Sequence, residues 1–267
     1  SLLSRKLEDL LPFPYNVDEQ LQLASELAAK ISIPGVQPKL SARLEVKGTS
    51  FVVVEKMGQY ILKPQNPMFP HLPENEDLTM KLAGIAGLDV PIHGLVRAKD
   101  GSFLYFIRRF DRHGRGDKIA VEDFAQLAGL SRETKYSSSL EKVITLIDKY
   151  MTFPVIEKAK FFRLVLFNFL TGNEDAHLKN YSVIFLKDTY QISPCYDLLN
   201  STLAMGGTAA EESALPLAGK KSGFSGNDFL RYLARERLQL TAKVTASITE
   251  ELEAAIPAWA GMIEKSF

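Results

Sequence analysis

At 267 residues, 46% of them hydrophobic and 24% charged, the chain has the size and balance of one large domain or of two lobes sharing a cleft. Its 32 Lys and Arg are matched by 32 Asp and Glu, so there is no basic field of the kind that sequence-independent nucleic-acid binding needs. A single cysteine, Cys195, excludes an intrachain disulfide framework, and the four scattered histidines (His71, His93, His113 and His177) argue against a structural zinc site.

Arg5, Lys6, Glu8 and Asp9 stand where a signal peptide would carry its apolar core, and the greasiest run, Phe161 to Leu170, contains Arg163 and Asn168. The chain therefore reads as cytoplasmic. Asn16 followed by Glu19 is the pattern of an N-cap with a reciprocal carboxylate, and Val17, Leu21, Ala24 and Ala28 recur at helical spacing, which predicts a helix over 17–30. From Lys39 the period falls to two. Leu40, Ala42, Leu44 and Val46 share one face of a half-buried strand. Lys47-Gly48 and Met57-Gly58 are turns around a β-rich segment at 51–55, and 59–63 is a third strand. A helix over 74–86 stops at Gly87, and strands at 90–96 and 102–110 join through Asp100-Gly101, a hairpin signal.

Beyond residue 110 the helical period takes over. Helices are predicted over 121–129, 140–150, 155–171, 227–239 and 241–265, the last kinked at Pro257. Strands at 181–186 and 189–192 turn through Lys187-Asp188. The polar stretches 112–118 and 131–139 read as loops, and the small-residue stretch 201–213 as a mobile one. The fold expected is α+β and kinase-like, with a β-rich lobe over 1–110 and an α-rich lobe over 111–267.

Several residue types in this order point to phosphoryl transfer from ATP. Asp175 and Asn180 stand five residues apart in one loop, the interval at which a kinase places its base and a magnesium-binding amide. Asp197 follows after one hydrophobic hairpin and supplies the second magnesium ligand that the chemistry requires. Lys63 ends a strand before Pro64, in the position of a lysine that holds the α- and β-phosphates. Glu74 and Glu76 open the next helix, and Glu76 is the chosen partner. The segment 31–37 precedes the first strand pair, where a phosphate-covering loop belongs, although it does not match a GxGxxG pattern. Arg108 and Phe110 end the first lobe, where main-chain groups can meet an adenine edge. His177 reads as a scaffold of the loop rather than a proton carrier, and Cys195 as a small buried apolar group.

The run Gly172-Asn173-Glu174-Asp175-Ala176-His177-Leu178-Lys179-Asn180, with Pro194-Cys195-Tyr196-Asp197 after it, resembles the GN-x-D-x-H-x-K/R-N and P-x-YD motifs of the HipA family. That family comprises bacterial toxin Ser/Thr kinases of toxin–antitoxin systems. Residues 32–40 resemble its short Gly-loop, Ile61-Leu62-Lys63-Pro64 its ATP lysine, Glu74-Asn75-Glu76 its helix-start motif and Arg108-Arg109-Phe110-Asp111 its hinge. The resemblance implies Asp175 as catalytic base, with His177 and Lys179 in the same catalytic motif, and Asn180 and Asp197 as magnesium ligands. It implies ATP and Mg2+ as cofactors, bound through Ser32, Gly35, Val36, Gln37, Lys63, Glu76, Arg108, Phe110 and Asp111. Ser32 matches the family's autophosphorylated serine, and a phosphate there adds about −2 charge where ATP phosphates must sit.

About thirty residues precede Ser32, which resembles the short HipT branch, where a separate HipS protein accompanies the DNA-binding antitoxin HipB. The face of residues 40, 42, 44 and 46 is expected to need a cover that the 17–30 helix gives only in part, and a HipS-like partner on the first lobe would complete it. The implied substrate is a protein, an aminoacyl-tRNA synthetase. Two alternatives stay open on the residues alone: a small-molecule kinase of the aminoglycoside or choline type, and a catalytically idle ATP-binding subunit of a repressor.

Overall fold

The computed structural model describes residues 3, 9–28, 37–45, 49–114, 117–131, 134–207 and 211–266. Ser32, Gly35 and Val36 of the expected phosphate loop, together with Val46 and the Lys47-Gly48 turn, lie outside them. Helices and antiparallel sheets mix along the chain, which divides into two compact units. One comprises Ser1–Asp77 with Pro91–Lys118, the other Leu78–Val90 with Ile119–Phe267. This division differs from a single cut at 110.

In the first unit, helix α1 (Val17–Ala28) begins with the anticipated box: Asn16 N–H donates to Glu19 Oε2 at 2.8 Å, and Glu19 N–H to Asn16 Oδ1 at 2.9 Å. Two orphan amides of the first turn are thereby satisfied. Strands β1 (Leu40–Glu45), β2 (Ser50–Val53) and β3 (Tyr60–Lys63) are followed by helix α2 (Leu72–Ile85), then β4 (His93–Arg97) and β5 (Phe103–Arg108). The five strands form one antiparallel sheet in the order β2-β1-β3-β5-β4. Between β4 and β5, Gly101 takes a left-handed φ of +84°, and the Asp100 carboxylate accepts the Ser102 amide at 3.1 Å.

Leu40 and Ala42 are fully buried in a core with Phe13, Ala24, Leu27, Phe51, Leu62 and Phe106, and Leu44 packs against it. Three of the four residues of the expected face are thus covered by the chain itself, and the fourth, Val46, lies outside the described residues. The signal missed was Phe13, whose amide and carbonyl bond Arg97 O and the Lys99 amide at 2.7 and 2.9 Å and so fix its ring in the core.

The expected loop 112–118 contains a short ribbon, β6 (Arg112–His113) against β7 (Asp117–Lys118), and Gln59 Nε2 donates to Gly114 O at 2.9 Å. These bonds keep the segment with the first unit. The later part of α2 belongs to the second unit, where Trp259 Nε1 donates to Leu82 O at 3.0 Å and Arg163 Nη1 to Ala86 O at 2.9 Å.

In the second unit, the helix expected over 121–129 is instead strand β8 (Val121–Asp123) and a single turn, α3 (Phe124–Leu127). Val121 pairs with Ile184, and Asp123 then caps α3 reciprocally with Gln126, so the sheet ladder overrides the local helical pattern. Helices α4 (Leu140–Tyr150) and α5 (Pro154–Leu170) follow, then a 3-10 turn at Leu178–Asn180 and the hairpin β9 (Ser182–Leu186) and β10 (Thr189–Ile192). Lys187 and Asp188 both have positive φ, 50° and 58°, as a two-residue hairpin turn requires. The stretch expected to be a mobile loop from 201 opens as helix α6 (Ser201–Ala204), because Asn200 caps it through the Leu203 amide at 2.8 Å. Asp228–Arg237 is a π-helix rather than an α-helix, and α7 (Ala242–Glu264) runs through Pro257. Among the described residues no helix is long and apolar enough to cross a membrane.

Candidate active site

Lys63 is the last residue of β3, opposite Tyr105 on β5, and Pro64 after it has no amide with which to continue the ladder. Its side chain is buried, as is Glu76 in the first half of α2, and Lys63 Nζ meets Glu76 Oε1 at 2.6 Å. Glu74, the other candidate carboxylate, instead accepts from Gln65 Nε2 at 2.8 Å. Lys63 Nζ also stands 5.6 Å from the centre of the Tyr105 ring. Beside that ring, His93 Nδ1 lies 3.2 Å from the buried carboxylate of Asp77. The first turns of α2 are therefore tied to the sheet through two charged side chains.

Arg108 ends β5 with its side chain exposed, and its amide is taken by Ile92 O at 2.7 Å. The expected use of Arg108's main chain is narrowed accordingly, since its N–H is committed to the sheet edge. Phe110 is half-buried in the turn that follows, and Gln37 stands at the first described residue before β1. Asp111 is held by a bidentate Arg109, at 2.9 and 2.7 Å, and by Arg112. Burial alone would raise its pKa, but the two guanidinium groups outweigh that and hold it below the usual carboxylate range. Asp111 is fully engaged with neighbouring arginines.

In the second unit, the buried end of α5 sets the frame of the loop that follows. Gly172 has φ +64°, and a Cβ there would meet Thr202 Oγ1 at 2.9 Å, so only glycine fits. Gly172 O accepts Ser201 Oγ at 3.2 Å and Thr202 Oγ1 at 3.1 Å, while Ser201 Oγ accepts the Glu174 amide at 2.7 Å. Asn173 is buried and donates to Asn168 Oδ1 at 3.1 Å. The loop is bolted to α5 on one side and to α6 on the other, and Asp175 projects from it exposed.

The Tyr136 hydroxyl donates to Asp175 Oδ1, and Lys135 Nζ lies 2.6 Å from His177 Nε2. Burial lowers the His177 pKa. The nearby Asp175 carboxylate pulls upward and Lys135 downward, and the net shift is downward. A neutral, buried imidazole suits a scaffold. The His177 amide is accepted by Asn180 Oδ1 at 3.1 Å, which fixes the orientation of the Asn180 side chain. Lys179 turns away from Asp175: its ammonium pairs with Asp123 Oδ2 at 2.9 Å, and its carbonyl accepts the Tyr196 hydroxyl at 2.8 Å.

Through Tyr196 the 193–198 segment is pinned to the same loop. Asp197, next to it, has a left-handed φ of 52°, a conformation that costs energy in a non-glycine residue and is concentrated at functional positions. The thiol of Cys195 is pushed up to about 12 by burial, then by the Asp89 carboxylate, and is therefore inert at neutral pH. Asn180 and Asp197 present oxygen donors only, one amide and one carboxylate. That donor set fits magnesium, which takes few protein oxygens and completes its octahedron with phosphates and water. Among the described residues no group of three or more His, Cys, Asp or Glu gathers as a metal cluster.

Lys135, Tyr136 and Asp123 are the site residues that sequence reasoning missed. Their contacts reach across 42, 39 and 56 residues, and no local pattern encodes them.

Residues 31–260 match the family model described as "HipA-like C-terminal domain". A Haemophilus influenzae protein provisionally named a kinase is 31% identical over 251 residues, covering 82% of this chain and 71% of its own length. A Shewanella oneidensis protein named serine/threonine-protein kinase toxin HipA is 30% identical over 191 residues, 64% of this chain and 43% of that protein. Several curated relatives are therefore matched over only about half of their length, 44% and 61% for two Sinorhizobium fredii proteins. Among solved structures, a chain of the Shewanella oneidensis complex of HipA, HipB and operator DNA superposes with a TM-score of 0.72 at 23% identity, covering 96% of this chain and 67% of that one.

Proposed function

The chain belongs to the HipA-like C-terminal domain family of serine/threonine protein kinases, and from that premise we propose that it transfers the γ-phosphoryl group of ATP to a protein hydroxyl. The observation that carries this reading is the buried Lys63–Glu76 pair at 2.6 Å. A buried ion pair is a poor stabilising device, because desolvating two charges offsets most of their attraction. A strand lysine held by a helix glutamate is what a kinase uses to keep an ammonium group ready for the α- and β-phosphates. The exposed Asp175, on a loop whose other polar groups are committed to holding its shape, suits a base that must meet an incoming substrate.

In this reading the acceptor's Ser or Thr oxygen attacks the γ-phosphorus, its proton passes to the Asp175 carboxylate, and the bond to the leaving ADP oxygen breaks. Lys63 balances charge on the phosphates that stay behind. Asn180 and Asp197 hold magnesium, which when bound neutralises the phosphate oxygens. His177 keeps Asn180 in place from a neutral, buried position, and Lys179 braces the loop against Asp123.

The finer reading follows the family. The protein acts as the toxin of a toxin–antitoxin pair, with an aminoacyl-tRNA synthetase as substrate, Ser32 as a self-phosphorylation site and a HipB-like DNA-binding antitoxin as partner. The relative named a toxin kinase and the solved complex of HipA with HipB and operator DNA support it. A HipS-like partner belongs to the short-branch version of this reading; at Leu40, Ala42 and Leu44 the chain supplies its own cover.

Asp175→Asn tests the reading. It should retain ATP binding and fold while losing about 10²–10⁴-fold of phosphoryl transfer, the usual span for a general base. Intact-protein mass spectrometry should find one phosphate, on Ser32, in wild-type protein made in ATP-replete cells and none in Asp175→Asn. Full transfer by the variant would remove the assignment.

A further inference from the structure

We propose that Tyr136 is a positioning residue for the reaction, orienting the Asp175 carboxylate while Lys135 locks the histidine beneath it. The proposal rests on the reading of Asp175 as the base. The Tyr136 hydroxyl donates to Oδ1, and among the described residues no other donor reaches the carboxylate. Oδ2 is thereby left for the acceptor hydroxyl. The Tyr136 ring meets His177 edge-on, with centroids 5.0 Å apart and planes at 80°, and Lys135 Nζ reaches His177 Nε2 at 2.6 Å. One dipeptide thus grips two residues of the loop, and His177 in turn holds Asn180 through its amide.

The grip is itself well supported. Ser137 N–H donates to Thr134 O at 2.8 Å, which closes the turn that carries Lys135 and Tyr136, and Ser131 N–H donates to Thr134 Oγ1 at 3.0 Å. After Tyr136, the Ser139 hydroxyl accepts the Lys142 amide and starts α4. Lys135 Nζ also lies 4.8 Å from the centre of the Tyr136 ring. Burial, then the bond to Asp175 and its charge, raises the Tyr136 pKa, so the phenol stays protonated and a donor at neutral pH. Tyr136 is 42% exposed and Asp175 is exposed, so a substrate can approach the pair. An exposed carboxylate with no partner rotates freely, and misplacing a reacting group by about 1 Å costs as much as 10²-fold in rate.

The test compares wild type, Tyr136→Phe, Tyr136→Ala and Asp175→Asn in radiolabel transfer from γ-labelled MgATP, with casein and the protein itself as acceptors. Melting temperature and the KM for ATP are measured alongside. Tyr136→Phe keeps the ring against His177 and removes only the hydroxyl. It should lower kcat about 10–100-fold with ATP KM and melting temperature unchanged. Tyr136→Ala should lower the melting temperature as well, so that phenylalanine rescues stability but not rate. Wild-type kcat in Tyr136→Phe, beside an inactive Asp175→Asn, would overturn the positioning role and leave the base standing. A rise in kcat would overturn it too, by making the tyrosine an obstruction. An active Asp175→Asn, or a wild type without transfer, would bring down both assignments.

Discussion

Replacing Lys63 by methionine removes one charge of a buried pair and leaves the volume of the side chain almost unchanged. At 2.6 Å the gross attraction of the pair is about 6 kcal/mol at an effective dielectric constant of about 20. Most of it is spent on desolvating two groups that are 3% and 0% exposed. The pair adds little net stability, yet removing one partner strands the other charge, which typically costs about 3–5 kcal/mol. For a chain of this size each kcal/mol lowers the melting temperature by about 2–4 °C, so Lys63→Met should fall by roughly 6–20 °C. The double variant Lys63→Met/Glu76→Leu leaves neither charge of this pair behind and should recover much of the lost melting temperature. Both variants should lose ATP affinity, because neither retains the ammonium group. Differential scanning calorimetry and nucleotide titration separate the two effects. A double variant as unstable as the single one would refute the stranded-charge argument, and a double variant with wild-type ATP affinity would refute the phosphate role of Lys63.

Two further expectations concern the second unit. Cys195, buried and with its thiol pushed up to about 12, should resist iodoacetamide at pH 8 in the folded protein and react on unfolding in urea; rapid labelling of the native protein would contradict its burial. Trp259→Phe keeps an aromatic ring against Phe167 but removes one of the two donors to Leu82 O, which also accepts the Ala86 amide at 2.9 Å, and should cost about 0.5–1.5 kcal/mol; an unchanged melting temperature would show that the indole bond adds nothing to the helix bond.

Local signals and distant ones fared differently. The Asn16–Glu19 box, the Asp100-Gly101 hairpin and helices α4 and α5 were legible because the deciding residues lie within a few positions of one another. The kinase order from Lys63 to Asp197 was legible as spacing, and the family model covers that whole span. The segment 121–129 misled because its helical pattern competes with pairing to Ile184, more than sixty positions away. The π-helix at Asp228–Arg237 shares the apolar face of an α-helix, so periodicity alone does not separate the two. The grip of Lys135 and Tyr136 was invisible for a different reason. A polar loop of Ser, Thr and Lys looks the same whether it faces water or the Asp175 carboxylate.

Helix α2 also bears on how this chain can be taken apart. Its residues up to Asp77 belong to the first unit and those from Leu78 to the second, while Pro91–Lys118 returns to the first. The chain therefore changes unit three times, once in mid-helix. No single cut separates the two units: one after Lys118 carries Leu78–Val90 away with the first unit, and one after Asp77 severs the helix between Glu76, the lysine's partner, and Leu82, whose carbonyl Trp259 holds. Dissecting the protein calls for point substitutions at such contacts, and truncated pieces should arrive as unfolded chains.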